Sequence, residues 1–234
     1  GRGFQPQNLP SRGLLPDNLI EHGIELMKCD AEDLVFPNVM HLASSAIRRV
    51  LIAAPGKKFC ISDLANIEGR KVAWYAGEEW KLQAFRDFDT GTGHDLYNLA
   101  YARAFRVPVE SVTKDQRSIG KILELFLAYG GGCGAFVTGA AGYGFDLEKL
   151  ADDIYDTLPR DAVLEATDFL EWWQKQKRDR YGLSDKAFIT VDVLKRLWRR
   201  SNPKIVQLWS DVQRAAEHAV VTGEAIETGL LKFE

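Results

Sequence analysis

The chain has 234 residues, 46% of them hydrophobic, with 33 acidic against 30 basic side chains and a net charge of −3. That is enough length and apolar content for one large or two modest domains, and the balance speaks against polyanion binding by the whole surface while leaving room for a local basic groove. Three cysteines, Cys29, Cys60 and Cys133, match no zinc-ligand spacing and fit a reducing compartment; no leader-like segment and no apolar run of membrane-spanning length occurs, so a cytoplasmic protein without membrane contact is expected.

The first 23 residues, rich in Gly, Pro and Asn, read as a loop or broken extended segment. Helical spacing of apolar residues runs from about Glu32 to Ile52 and stops at Ala54-Pro55-Gly56. Lys58 to Ser62 is a short apolar run that predicts a buried strand ending at Asp63. Short helices follow over Asn66 to Tyr75, Glu78 to Asp87 and Asp95 to Phe105. Thr113 and Gln116 form a capping-box pattern that starts a helix at Lys114, and Gly130-Gly131-Gly132 ends it. Further helices are expected over Asp146 to Thr157, Asp161 to about Arg180, Val191 to Arg200 and Pro203 to about Val221, the last opened by Asn202-Pro203. Gly229 to Glu234 resembles the start of a strand. The whole predicts an α+β chain that is predominantly helical.

Charge is unevenly distributed. Asp146 to Asp168 holds eight acidic and two basic residues, whereas Glu171 to Lys204 holds ten basic and four acidic. Two solvated faces and a surface that tracks phosphates are both consistent with this.

Arg117, Lys121, Leu125 and Tyr129 recur every four residues, a slanting stripe on a helix. An Arg and a Lys one turn apart can hold a polyphosphate, the one as a planar fork and the other as a compact charge; the same spacing also fits two solvent-facing cations with Tyr129 closing the core. Asp63 at a strand end and Glu68 five residues on form a second candidate pair, although a helix cap and a surface carboxylate are ordinary roles for them. Neither GGGCGAF nor GAAGYG completes a nucleotide-binding glycine motif, and both read as turns. Trp172-Trp173 beside KQKRDR suggests one packed and one partly exposed ring, with base stacking a weaker option.

Taken together, SDLANIEGRKVAWYAGEE and DLYNLAYARAFRVPVESVTKDQRSIGKILELFLAYG, flanked by QPQNLP and LWRRSNPKIVQLW, resemble the family A DNA polymerases, and the shorter phage-type members in particular. The resemblance covers nearly the whole chain and implies template-directed nucleotidyl transfer with two Mg²⁺ ions, primer-template DNA and deoxynucleoside triphosphates as partners. It implies a partial palm over residues 1–63, a helical fingers region over 64–222, and the start of a returning palm strand over 223–234. On this basis Asp63 is the metal-binding aspartate of motif A, the Leu64 carbonyl a neighbouring metal ligand, and Glu68 the glutamate that excludes a 2′ hydroxyl; Arg70 matches an arginine of the same motif. Arg117 and Lys121 match the triphosphate-binding pair of motif B, Tyr129 and Gly130 its template-side end, and Gln7 and Asn8 a loop pair near the duplex.

Two positions depart from the cellular members. Leu125 replaces an aromatic residue and Tyr97 a histidine, with His94 one turn earlier. The family's motif C, which bears the second metal-binding aspartate, occurs nowhere in the sequence; the resemblance therefore implies a fragment that does not polymerise alone, with an unpartnered palm edge as a route to self-association. A non-catalytic nucleic-acid-binding or assembly module, and a half-enzyme completed by a second polypeptide, are the alternatives.

Overall fold

The computed structural model describes residues 9–10, 14–62 and 64–234. By internal packing the chain divides between Asp63 and Leu64 into two units, Gly1–Asp63 and Leu64–Glu234.

In the first unit, α1 (Asp17–Met27) packs against α2 (Val39–Ala46). Pro16 opens α1 because its fixed φ suits a helix entry, and its carbonyl accepts from the amides of Leu19 and Ile20. Gly23 lets the helices meet: a methyl group there would lie 2.3 Å from Leu42 Cδ1. Ile20, Leu42 and Ala46 are buried at this contact. The expected opening loop is thus corrected to include α1, and the single helix over 32–52 to a 3₁₀ turn (Glu32–Leu34) followed by α2. The strand expected over 58–62 is also corrected: these residues are exposed and carry no strand pairing.

The second unit holds α3 (Ile67–Ala76), α4 (Glu79–Asp89), α5 (Leu96–Phe105), α6 (Lys114–Leu127), α7 (Cys133–Gly142), α8 (Leu147–Ile154), α9 (Arg160–Lys175), α10 (Asp185–Ser201) and α11 (Pro203–Thr222), then an antiparallel hairpin of β1 (Ile226–Thr228) and β2 (Leu231–Phe233). The described residues are therefore predominantly helical with one small sheet, an α+β arrangement. The α7 segment is a correction, since its glycines read as turns yet Gly139 is a contact residue: a methyl there would lie 2.4 Å from the Phe126 ring.

The core is built around α10, whose residues Phe188, Val191, Leu194 and Trp198 are fully enclosed by α5 to α9 and α11. The segregated charges meet here. Arg196 pairs with Glu165 at 2.9 Å, Arg200 with Asp161 at 2.9 Å and Glu165 at 2.7 Å, and Lys186 with Asp152 at 2.7 Å. Three of the eight acidic residues of the one stretch thus pair with three of the ten basic residues of the other across α8, α9 and α10.

Distant groups complete the helix ends. The carboxylate of buried Glu78 accepts from the amides of Lys204 (2.8 Å) and Ile205 (3.3 Å) at the start of α11, whose own preceding residue, Asn202, offers no side-chain cap.

Candidate nucleotide-binding site

Helix α6 begins as its sequence dictates. Thr113 Oγ1 accepts from the Gln116 amide at 3.3 Å while Gln116 Oε1 accepts from the Thr113 amide at 2.9 Å. Ile119, Ile122, Leu123 and Leu127 then bury one side of the helix, and Arg117, Lys121 and Leu125 remain partly exposed. Tyr129, just beyond the helix, is 59% exposed.

Neighbouring elements hold the two cations. The Arg117 guanidinium donates to Asp95 Oδ2 at 3.0 Å and lies 5.1 Å from the centre of the Tyr97 ring. Asp95 is also the cap of α5, its Oδ1 accepting from the Tyr97 amide at 2.9 Å and the Asn98 amide at 3.3 Å, so one carboxylate fixes both the helix start and the arginine. Lys121 Nζ sits 4.9 Å from the Tyr143 ring centre, and Tyr143 meets Phe126 edge-on at 6.0 Å. Burial first, then the negative charge of Asp95, pushes the Tyr97 phenol above its ordinary pKa.

Close approach of α5 to α6 depends on Gly120. A Cβ at that position would lie 2.0 Å from the Tyr97 carbonyl oxygen. Glu124, seven residues after Arg117 and so near the same side of the helix, is buried and accepts from Lys81 Nζ through both oxygens (2.8 and 3.0 Å) and from Trp198 Nε1 at 2.8 Å. This ties α6 to α4 and α10.

The turn after α6 is fixed as firmly. Gly130 takes φ +80°, a conformation that suits glycine, while Trp209 Nε1 donates to the Ala128 carbonyl at 3.1 Å and Arg199 to the Gly131 carbonyl at 3.2 Å. Glu68, exposed in the first turn of α3, comes near Tyr129: burial and then the Glu68 charge raise the pKa of that phenol.

Arg117, Lys121, Leu125, Tyr129 and Gly130 therefore share α6 and its exit, and Tyr97 and Glu68 join them from α5 and α3. Leu64 is exposed, and its carbonyl accepts from the Ile67 amide at 3.3 Å. Arg70 is engaged by both oxygens of Asp89, each at 2.7 Å, and by the Ala65 carbonyl, which joins α3 to α4. His94 lies 3.6 Å from Glu110. Asp63, Gln7 and Asn8 fall outside the described residues. Asp95, Tyr143 and Gly120 escaped the sequence reading; the Asp preceding an apolar helix was the one available signal, because Tyr143 stood in a glycine-rich stretch taken as a turn.

Two partly exposed cations a turn apart on α6, each beside an aromatic ring, are thus the arrangement that this helical α+β chain presents. The homology is to DNA polymerases. The chain is 31% identical over 223 residues to the DNA polymerase of Bacillus phage SP02, a match spanning 94% of this chain and 27% of that protein. It is also 32% identical over 100 residues to DNA polymerase I of Mycobacterium bovis (40% of this chain, 10% of that protein) and 36% identical over 86 residues to DNA polymerase I of Pseudomonas aeruginosa (36% and 9%). The chain thus spans about a quarter or less of the length of these relatives. No family model matches the chain, and no solved structure matches it.

Proposed function

We propose that this chain supplies the fingers region and part of the palm of a family A DNA polymerase, which adds deoxynucleotides to a primer 3′ end under template direction. The observation that carries the reading is the Arg117 and Lys121 pair on the partly exposed side of α6, in a chain homologous to a phage DNA polymerase along 94% of its length. Arg117 and Lys121 hold the triphosphate, with Tyr97 beside Arg117. Leu125 lies along the nucleotide, Glu68 crowds the sugar 2′ position, and Tyr129 with Gly130 receives the templating base. Gln7 and Asn8 approach the primer-template duplex.

Residues 1–63 belong in this reading to the palm, 64–222 to the fingers and 223–234 to the returning palm strand. Asp63 and the Leu64 carbonyl would hold Mg²⁺, whose chemistry is to activate the 3′ hydroxyl and support the leaving pyrophosphate. Among the described residues, which do not include Asp63, no cluster of three His, Cys, Asp or Glu side chains is placed to hold a metal ion.

Titration of the chain with a fluorescent deoxynucleoside triphosphate tests the reading. Arg117→Gln and Lys121→Gln each lose a charged hydrogen-bonding partner, with an expected loss of about tenfold or more in affinity. Triphosphate affinity unaffected by both substitutions, with binding to primer-template intact, would favour a nucleic-acid-binding module instead.

A further inference from the structure

The carboxyl ends of α5 and α10 border a cavity of about 360 Å³. Arg103, Ala104 and Arg106 line it from the one and Leu197, Arg200 and Ser201 from the other, so it shares no lining residue with the α6 site. Ala104 and Leu197 are buried and give it an apolar wall. Half of the lining residues are arginines, and none is acidic.

The three arginines are held in different ways. Arg200 is fixed by carboxylates of α9, Nη1 donating to Asp161 at 2.9 Å and Nη2 to Glu165 at 2.7 Å. The Arg103 guanidinium lies 4.0 Å from the centre of the Trp80 ring, a contact that orients the group through its face and leaves its N–H donors unused. Arg106 closes α5 at φ +55°, a left-handed position that glycine fills without strain. Arg103 and Arg106 are both exposed, and neither forms an ion pair or a side-chain hydrogen bond among the described residues. A cation at a helix carboxyl end gains from the helix dipole, which explains one charge at each end. It does not explain a second arginine at the end of α5, set in a backbone conformation that disfavours it. Like charges gathered round one cavity repel, and an anion that accepts from several of them at once relieves the repulsion.

We propose that the cavity lined by Arg103, Arg106 and Arg200 is a binding site for a small polyphosphate anion. The planar fork of each guanidinium matches a pair of phosphoryl oxygens. The volume is at the lower end of the range for small-molecule sites, with room for a chain of two or three phosphoryl groups that reaches more than one arginine. This chemistry is shared by inorganic polyphosphate and by the phosphate tail of a nucleotide. The site is separate from the Arg117 and Lys121 pair and does not rest on the polymerase reading.

Isothermal titration calorimetry of the whole chain with inorganic tripolyphosphate tests it, in a background of Arg117→Gln with Lys121→Gln that removes the α6 cations. Saturable binding persists in that background, and Arg106→Gly lowers its affinity by about tenfold or more. Because glycine suits φ +55°, the same substitution keeps or raises the melting temperature, so the loss is one of ligand contact and not of folding. Arg103→Gln lowers affinity to a similar extent, whereas Lys175→Gln, which removes an exposed charge at the end of α9, leaves it unchanged. A deoxynucleoside triphosphate titrated into the same background separates the two sources. Binding that is lost with Arg106→Gly assigns the site to nucleotide tails, and no binding beside intact tripolyphosphate binding assigns it to the inorganic chain. Absence of tripolyphosphate binding in that background, affinity indifferent to both arginine substitutions, or an equal loss with Lys175→Gln overturns the proposal.

Discussion

Lys81 and Glu124 form an ion pair in which both side chains are almost wholly enclosed, Nζ lying 2.8 Å from Oε2, with 1% and 3% of their side-chain surfaces exposed. Trp198 donates to the same carboxylate, and the Lys81 ammonium lies 5.0 Å from the Trp198 ring centre. Removal of one partner strands the other charge without water. Lys81→Met is therefore expected to destabilise the chain by about 3–5 kcal/mol, and Lys81→Met with Glu124→Gln by much less, since the double replacement removes the unpaired charge and keeps an acceptor for the Trp198 N–H. Urea unfolding of the two variants provides the comparison; equal losses would mean that the cost lies in packing.

Gly120 and Gly142 make a matched pair of glycine substitutions. A methyl at Gly120 would lie 2.0 Å from the Tyr97 carbonyl oxygen, which is backbone and cannot swing away, whereas one at Gly142 meets nothing within 4 Å. Gly120→Ala should cost about 1–3 kcal/mol by forcing α5 from α6. Gly142→Ala should be neutral or stabilising by up to about 1 kcal/mol, because alanine loses less backbone freedom on folding. Thermal melts measure both. Because Tyr97 and Arg117 face each other across the α5–α6 contact, Gly120→Ala should also weaken triphosphate binding.

Cys133 provides the pH dependence. Burial pushes its thiol up to about 12 from an ordinary value of 9.0. A raised folded-state pKa means that the native protein keeps a proton that the unfolded chain releases. Its contribution is complete below about pH 9 and is lost as pH climbs toward 12, at about 1.4 kcal/mol per pH unit between those values. Cys133→Ala should flatten that part of the stability curve in denaturant titrations at pH 8 to 10.5. At pH 8.5 iodoacetamide should modify the exposed Cys29 and Cys60 and spare Cys133 in the native chain.

Local signals made α6 legible. Its capping box, its glycine exit and its four-residue stripe are all encoded within two dozen residues, and the helix forms over Lys114–Leu127 as the pattern requires. Elements that depend on distant partners were harder to read. The strand expected over 58–62 has the apolar composition but no neighbouring strand among the described residues to take its amide and carbonyl groups. Helices α1 and α7 hid behind glycine: Gly23 and Gly139 weaken helix propensity, but each makes room for a large side chain, Leu42 and Phe126, whose burial outweighs that loss. Within the site the cations were visible by spacing, whereas their companions Asp95 and Tyr143 belong to segments 22 residues before Arg117 and after Lys121 and are brought in only by packing.

The Asp95 and Arg117 pair bears on how the site receives its ligand. Asp95 presents an anion to the guanidinium that, in the polymerase reading, grips the triphosphate, so the two anions compete for one donor fork. The pair is partly exposed, 41% on the arginine side and 24% on the aspartate side, which limits its strength to about 1 kcal/mol or less. Asp95→Asn removes the competing charge and keeps a good helix cap, so triphosphate affinity should rise by up to about fivefold with little change in melting temperature. The same substitution should lower the Tyr97 phenol toward its ordinary range, because one of the charges that raise it has gone; ultraviolet titration of the tyrosines reads that shift. Asp95→Ala, by contrast, should cost about 1 kcal/mol of stability through loss of the cap. Weaker triphosphate binding in Asp95→Asn, with the cap and the melting temperature preserved, would make the carboxylate a positioning group for Arg117 rather than its competitor.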